Sequence, residues 1–354
     1  MAHAAGLPGN GSTAQSGDAS AASAPGQMCS LYLLSLFAGL VGALTLFCLT
    51  LLSLDRTGNL PPPAFSNNLC VDEKLSFMRA NRIESPNLLV IGSSVAWRHV
   101  NGHVLAQALP EVRPMNGAFC GLFANQSAYV AHWLLDRESS IRSVVMIADP
   151  QDFAGCWKVQ DAVFSREHVD PYVYQGASRW NYYMRYFSPK SLARNALTVK
   201  AQRAGQIEWD PLVFNRFGDG PLVTENTRKL MYGRPDALDR NCFDALRELS
   251  ARLQQEGRQL MVVSTPLHPQ WKEKYDPDGT FLADFDQRIV ESLGASGTYW
   301  NADKDWSTPV TSFVDAVHMR WSAVQEFSAA LAEQMQKAAT GPGPAPALET
   351  AGVP

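Results

Sequence analysis

The sequence predicts an α/β domain built on a parallel β-sheet and carried behind one membrane-spanning helix. Three observations lead there. Residues 31–54, "LYLLSLFAGLVGALTLFCLTLLSL", form an uncharged apolar run as long as a bilayer core requires, roughly 20 residues. Beyond it, short apolar runs alternate with amphipathic stretches, the pattern of a sheet covered by helices. The chain has 354 residues, 46% of them hydrophobic, enough to bury a large core.

In chain order, residues 1–27 are rich in Ala, Gly and Ser and read as a disordered tail. Residues 28–54 read as the membrane helix. A secretory signal is the alternative, but signals carry a short apolar core behind a basic start, and residues 1–27 contain no Lys or Arg. Residues 55–69, with "TGNLPPPAFSNN", read as a proline-braced linker that lifts the rest of the chain off the membrane, so the folded part is expected from near Cys70 to 337. Strands are expected at 87–92 ("NLLVIG"), 112–116 ("VRPMN"), 143–148 ("SVVMIA") and 259–266 ("QLMVVSTP"), with a weaker fifth at "GTYWNA". Helices are expected at 122–137, 239–255, 282–293 and 322–337. In the last of these, Val324, Phe327, Leu331 and Met335 recur at helical spacing.

Residues 153–235 break the alternation with a long aromatic insertion that includes "SRWNYYMRYFSPKSLARN". It leaves from the end of the third strand, and ligands of open α/β sheets sit beyond the carboxyl ends of the strands. It is therefore either a substrate-binding cap or a packing subdomain with buried aromatics. Residues 338–354, rich in Pro, Gly and Ala, read as a second disordered tail.

The net charge of −4, with no basic stripe, excludes a nucleic-acid footprint. Of six cysteines, Cys29 and Cys48 lie in or beside the apolar run. Cys70, Cys120, Cys156 and Cys242 have no metal-ligand spacing, and their even count leaves disulfides and free thiols equally open. No phosphate loop, zinc pair or dinucleotide fingerprint is present, so neither a metal nor a cofactor is expected. "DPDG" at 276–279 lacks the later oxygen ligands of a calcium loop and reads as a turn.

The chemistry concentrates around "LLVIGSSVAWRHVNG" at 88–102, where a strand runs through Gly92-Ser93-Ser94 into a helix. Glycine permits the sharp turn, and the helix start offers free N–H groups beside Ser94. A serine becomes a nucleophile only when a base takes its proton and a third group orients that base. Of the seven histidines, His3 lies in the tail and His168 in the insertion. His99, His103 and His132 lie on presumed helices, where structural roles fit best. His268 in "STPLHPQW", with Trp271, lines the rim of a site or shapes a proline turn. His318 has the strongest case as the base, because Asp315 precedes it by three residues and a helix follows; the alternative is a capping aspartate beside a surface histidine.

The order of these features is Gly-Ser-Ser after the first strand, Gly121 after the second, a polar loop after the third and Asp-x-x-His before the last helix. It resembles the SGNH (GDSL-like) hydrolase and acyltransferase superfamily over residues 87–337, the insertion excepted. The resemblance implies a three-layer, flavodoxin-like domain with Ser94 as nucleophile, His318 as base and Asp315 as its orienting acid. Gly121 in "NGAFCG" falls where that family supplies a backbone oxyanion donor, with Gly117 as an alternative. The family's third-block Gly-x-Asn-Asp is replaced by "ADPQDF". Gln151 would then stand in for the asparagine amide, with Asp149 and Asp152 as structural caps beside it. Losing an oxyanion donor costs a large rate factor, so the departure also admits a binding or scaffold protein that kept the fold and lost the chemistry.

Gly-Ser-Ser with Pro-Gln-x-Phe is similar to the branch containing the D-alanyl-transfer proteins of teichoic-acid modification, and the anchor to alginate O-acetylation proteins. Those resemblances imply a single-pass protein of the cytoplasmic membrane with an extracytoplasmic (periplasmic) domain. They also imply a cell-surface polysaccharide as substrate and an integral-membrane acyltransferase as partner. The lone Arg56 after the apolar run points the other way, toward a cytoplasmic domain. A general lipase-like esterase anchored near lipid is a third reading.

Overall fold

A computed structural model describes residues 25–295 and 297–340. The chain divides into two compact units, residues 1–60 and 61–354. In the first, α1 (Pro25–Arg56) is a single helix. Its stretch Cys29–Arg56, with mean hydropathy 2.2, is long and apolar enough to cross a membrane.

The second unit begins at Pro61, earlier than expected from the sequence, because part of the anticipated linker packs inward. Phe65 is buried, with its ring centroid 4.7 Å from that of Tyr172 and 4.9 Å from that of Tyr182. The order is then α2 (Leu69–Ala80), β1 (Leu88–Gly92), α3 (Ser94–His99), α4 (Gly102–Ala108), β2 (Pro114–Asn116), α5 (Ala124–Arg137) and β3 (Ser143–Ala148). The insertion follows with α6 (Arg166–Tyr174), α7 (Arg179–Arg185) and α8 (Pro189–Arg203). Next come α9 (Arg240–Gln255), β4 (Gln259–Ser264), α10 (Pro269–Tyr275), α11 (Thr280–Leu293), β5 (Thr298–Asn301), α12 (Ala302–Asp305) and α13 (Trp321–Thr340).

The five strands form one all-parallel sheet in the order β2-β1-β3-β4-β5. All four firmly predicted strands and the weaker fifth are present. The second begins two residues late, at Pro114, and the fourth stops at Ser264 before Pro266, since proline cannot donate to a ladder. Alternate residues feed two cores. Leu89, Ile91, Val144, Met146, Leu260 and Val262 belong to one; Leu88, Val90, Val145, Ile147, Met261 and Val263 belong to the other. That period of two buries both faces. α5, α9 and α11 contribute to the first core, and α3, α4 and α13 to the second.

β1 is followed by a neighbour on one side, β2, and then by one on the other, β3. This reversal makes a crevice at the carboxyl ends of β1 and β3. Gly92, which closes β1, is shaped to it: φ is +136°, and a Cβ there would meet the Ile147 carbonyl oxygen at 2.6 Å and the Ala96 Cβ at 2.7 Å. Two disulfides, Cys70–Cys120 and Cys156–Cys242, tie the loops after β2 and β3 to α2 and α9, resolving the pairing that the spacing left open.

Candidate active site

Ser93 caps α3, and Ser94 opens it. Around Ser94 lies a cavity of about 450 Å³ at the carboxyl end of the sheet, lined by Gly121, Gln151, Asp149, Arg98, Tyr232 and His318 among others. Ser94 is partly exposed there, whereas its neighbours Ser93 and Val95 are buried.

The structure brings Ser94, His318 and Asp315 together. His318 Nε2 lies 3.0 Å from Ser94 Oγ, across 224 residues of sequence. His318 Nδ1 lies 3.0 Å and 3.1 Å from the two Asp315 carboxylate oxygens. An Nδ1–H donated to the carboxylate leaves Nε2 as the acceptor for the serine hydroxyl. The local sequence builds this turn. Asp315 Oδ1 also accepts from the backbone amides of Val317 (3.0 Å) and His318 (2.8 Å), an aspartate fold-back that fixes the side chain before the helix begins. Asp315 and His318 are 2% and 4% exposed, so neither swings freely. Burial pushes the Asp315 carboxyl up, but the bond to His318, the imidazolium charge and the two amides outweigh it and hold it below its ordinary value.

His99 is a structural histidine, as the sequence suggested, and it also braces the site. Its Nδ1 meets Thr265 Oγ1 at 2.7 Å, and its Nε2 accepts from the Met319 amide at 2.9 Å. Burial, and next the neighbouring His318 charge, keep it neutral. His268 does not line the cavity. Its Nδ1 accepts from the Gln270 amide and caps α10, while the buried Trp271 donates to the Tyr232 carbonyl at 2.9 Å.

The oxyanion candidates separate. Gly117 is occupied, its amide donating to the Val90 carbonyl at 2.8 Å. Gly121 lines the cavity at φ +71°, and among the described residues no acceptor takes its amide hydrogen or that of Ser94. The neighbouring Cys120 is held both by its disulfide and by Asn68 Nδ2 on its carbonyl at 3.3 Å. Gln151 lines the cavity, but one of its side-chain N–H groups goes to the Gly233 carbonyl, leaving the second for any ligand.

Asp149 caps the short turn after β3, accepting from the Gln151 amide at 2.7 Å. Asp149 and Asp152 are both buried, each with one carboxylate oxygen that has no hydrogen-bond partner among the described residues. Burial first, and for Asp152 the Asp149 charge next, raise both carboxyls above their ordinary value.

Sequence reasoning missed three contributors. Tyr232 packs its ring edge-on 5.6 Å from that of His318, Arg98 lies 4.2 Å over Trp97 with only long bonds to the Gly220 and Pro211 carbonyls, and Asp210 joins the wall. Arg98 sits one helical turn past Ser94, a spacing that a search of that helix would have found. Tyr232 and Asp210 come from the insertion. Its first part packs Phe164, Val169 and Tyr172 into the core, and its last part walls the cavity. Among the described residues no cluster of His, Cys, Asp or Glu could hold a metal, and 276–279 is a turn in which Asp276 accepts the Phe281 and Leu282 amides. No family model matches this chain, and no curated protein is detectably similar to it.

Proposed function

We propose that this chain is a membrane-anchored serine esterase or O-acyltransferase of the SGNH type, acting through an acyl-serine on acyl groups of a cell-surface carbohydrate. The observation that carries the reading is the unbroken Ser94–His318–Asp315 chain of hydrogen bonds opening onto a cavity. The strand order 2-1-3-4-5 is the flavodoxin-like order, consistent with that superfamily.

In this reading Ser94 Oγ attacks the ester carbonyl carbon and its proton passes to His318 Nε2. Asp315 stabilises the imidazolium, and the oxyanion faces the amides of Ser94 and Gly121. The tetrahedral adduct collapses, the ester C–O bond breaks, and the departing alcohol takes the proton from His318. Water or a sugar hydroxyl then attacks the acyl-Ser94, returning its proton through His318, and the serine is regenerated. Tyr232, half-buried in the cavity wall, offers a flat surface against which a sugar ring packs.

Two disulfides support an oxidising, extracytoplasmic compartment and α1 supports single-pass anchoring. Together they outweigh the lone Arg56; an integral-membrane acyltransferase as partner follows from the family resemblance alone. A reporter fused at Pro354 tests the topology: activity confined to the cytoplasm rejects the surface-carbohydrate reading.

One observation favours the alternative of a glycan-binding or scaffold protein. The Gln151 amide that would complete the oxyanion site is partly spent on Gly233. Release of acid from p-nitrophenyl acetate by the purified full-length protein decides between them. The enzyme reading expects activity that falls by about 10³-fold or more in Ser94→Ala and His318→Ala while both variants keep the native circular dichroism spectrum. An inert native protein, or variants as active as it, leaves the binding protein.

A further inference from the structure

We propose that the α7–α8 segment of the insertion docks on the anionic headgroup surface of the membrane, a second contact besides the α1 anchor. Residues 179–203 carry Arg179, Arg185, Lys190, Arg194, Lys200 and Arg203 and no acidic residue. The Arg203 charge favours the ionised form of Glu73, against the larger effect of burial. Arg185, Lys190, Arg194 and Lys200 are exposed, and none has an ion-pair partner among the described residues.

On α8, Lys190, Arg194, Leu197 and Lys200 stand at i, i+4, i+7 and i+10 and share one face. Large apolar side chains are exposed among these cations: Leu197 at 70%, Phe187 at 56% and Met184 at 50%, with Trp180 half-buried beside them. On such a face the exposed aromatic and aliphatic groups are unfavourable in water, and a headgroup layer suits both kinds of side chain, since cations meet phosphates and rings reach the acyl boundary. Between residues 64–67 and the start of α8 a hollow of about 260 Å³, lined by Ser66, Ser188, Ser191, Arg194 and Asn195 among others, offers hydroxyl, amide and guanidinium groups to a headgroup.

The chain brings this segment within reach of a bilayer. Tyr183 of α7 donates its hydroxyl to the Pro61 carbonyl at 2.5 Å, and Pro61 stands only five residues after Arg56, the last residue of the apolar helix. Five residues span at most about 18 Å. The inference rests on reading α1 as a membrane span, and the experiment reports that reading separately.

Full-length protein with Cys29→Ser, Cys48→Ser and Met184→Cys, its native disulfides intact, is labelled at position 184 with an environment-sensitive fluorophore. It is reconstituted in nanodiscs of phosphatidylcholine alone or of an equimolar mixture with phosphatidylglycerol, each doped with a spin-labelled lipid. The expected result is quenching and a blue shift in the anionic discs only. Both are lost at high salt and in the combined variant Arg185→Gln, Lys190→Gln, Arg194→Gln, Lys200→Gln. A label at the exposed Val290 of α11 stays unquenched throughout. A label at position 184 that is unquenched in anionic discs, or equally quenched in both lipids, overturns the proposal. A label on the native Cys48 keeps the two failures apart: if it is quenched while position 184 is not, only the docking surface falls, and if it is unquenched, the span and the docking fall together.

Discussion

At the scale of single residues, the site depends on which nitrogen of His318 carries its proton. Asp315, acceptor for Nδ1–H and for two backbone amides, settles that. In Asp315→Asn the side-chain amide can donate toward Nδ1, forcing the proton onto Nε2 and removing the base that Ser94 needs. Its esterase rate constant is expected to fall by about 10⁴-fold, with thermal stability reduced far less than in Asp315→Ala. Gly121 is the second pivot. At φ +71° any side chain is strained, so Gly121→Ala is expected to lose about 1–3 kcal/mol of stability. Under the proposed mechanism it should also slow ester cleavage more than it weakens substrate binding, because there its amide serves charge that develops only in the transition state. Steady-state kinetics beside a denaturation curve separates the two effects.

At the scale of elements, much of the fold was legible. The apolar runs of β1, β3 and β4 are short, rich in Val, Ile, Leu and Met and flanked by turn residues, and they name parallel strands buried on both sides. The helices α5, α9, α11 and α13 emerged within a few residues of expectation. Legibility failed where local sequence and tertiary packing part company. The segment 61–68 looks like linker because it is proline-rich, yet Phe65 finds an aromatic pocket that is assembled from residues more than 100 positions away. The helices of the insertion carry too little apolar periodicity to announce themselves. The candidate triad was readable because Gly-Ser-Ser and Asp-x-x-His are local patterns. Tyr232 was not, since nothing in "KLMYGRP" signals a neighbour 86 positions onward.

The β1–α3 elbow has a sharper requirement. Gly92→Ala must push against both the Ile147 carbonyl and Ala96, at an expected cost of about 2–4 kcal/mol, read as a lowered urea midpoint. The disulfides act at the same carboxyl end of the sheet. Cys156→Ala with Cys242→Ala opens a link across 86 residues and is expected to remove about 2–5 kcal/mol, read in the same way.

For the molecule as a whole, the buried carboxyls impose opposite demands on pH. Asp149 and Asp152 are protonated more readily in the folded protein than in the unfolded chain. The fold therefore binds more protons just above the usual carboxylate range, and their contribution to stability declines as pH rises through it. Asp315 works in reverse, since its lowered value gives a contribution present above the usual range and lost as pH falls below it. The summed contribution of these three carboxyls is greatest near the usual carboxylate range. Asp149→Asn, which retains the oxygen that accepts from Gln151, should flatten the decline above that maximum. Urea titrations across pH would show it, and an unchanged slope would remove Asp149 from the account.

The hydrogen bond from Ser94 to His318 spans 224 residues, and this orders events in time as well as in space. A ribosome delivers the apolar helix first and the serine soon after, but Asp315 and His318 come only when nearly the whole domain has been made. Every shorter nascent chain holds an ordinary hydroxyl at position 94, with no base to draw its proton. In the proposed mechanism the crevice is therefore inert throughout synthesis, and its chemistry begins only once the segment before α13 has closed against the sheet.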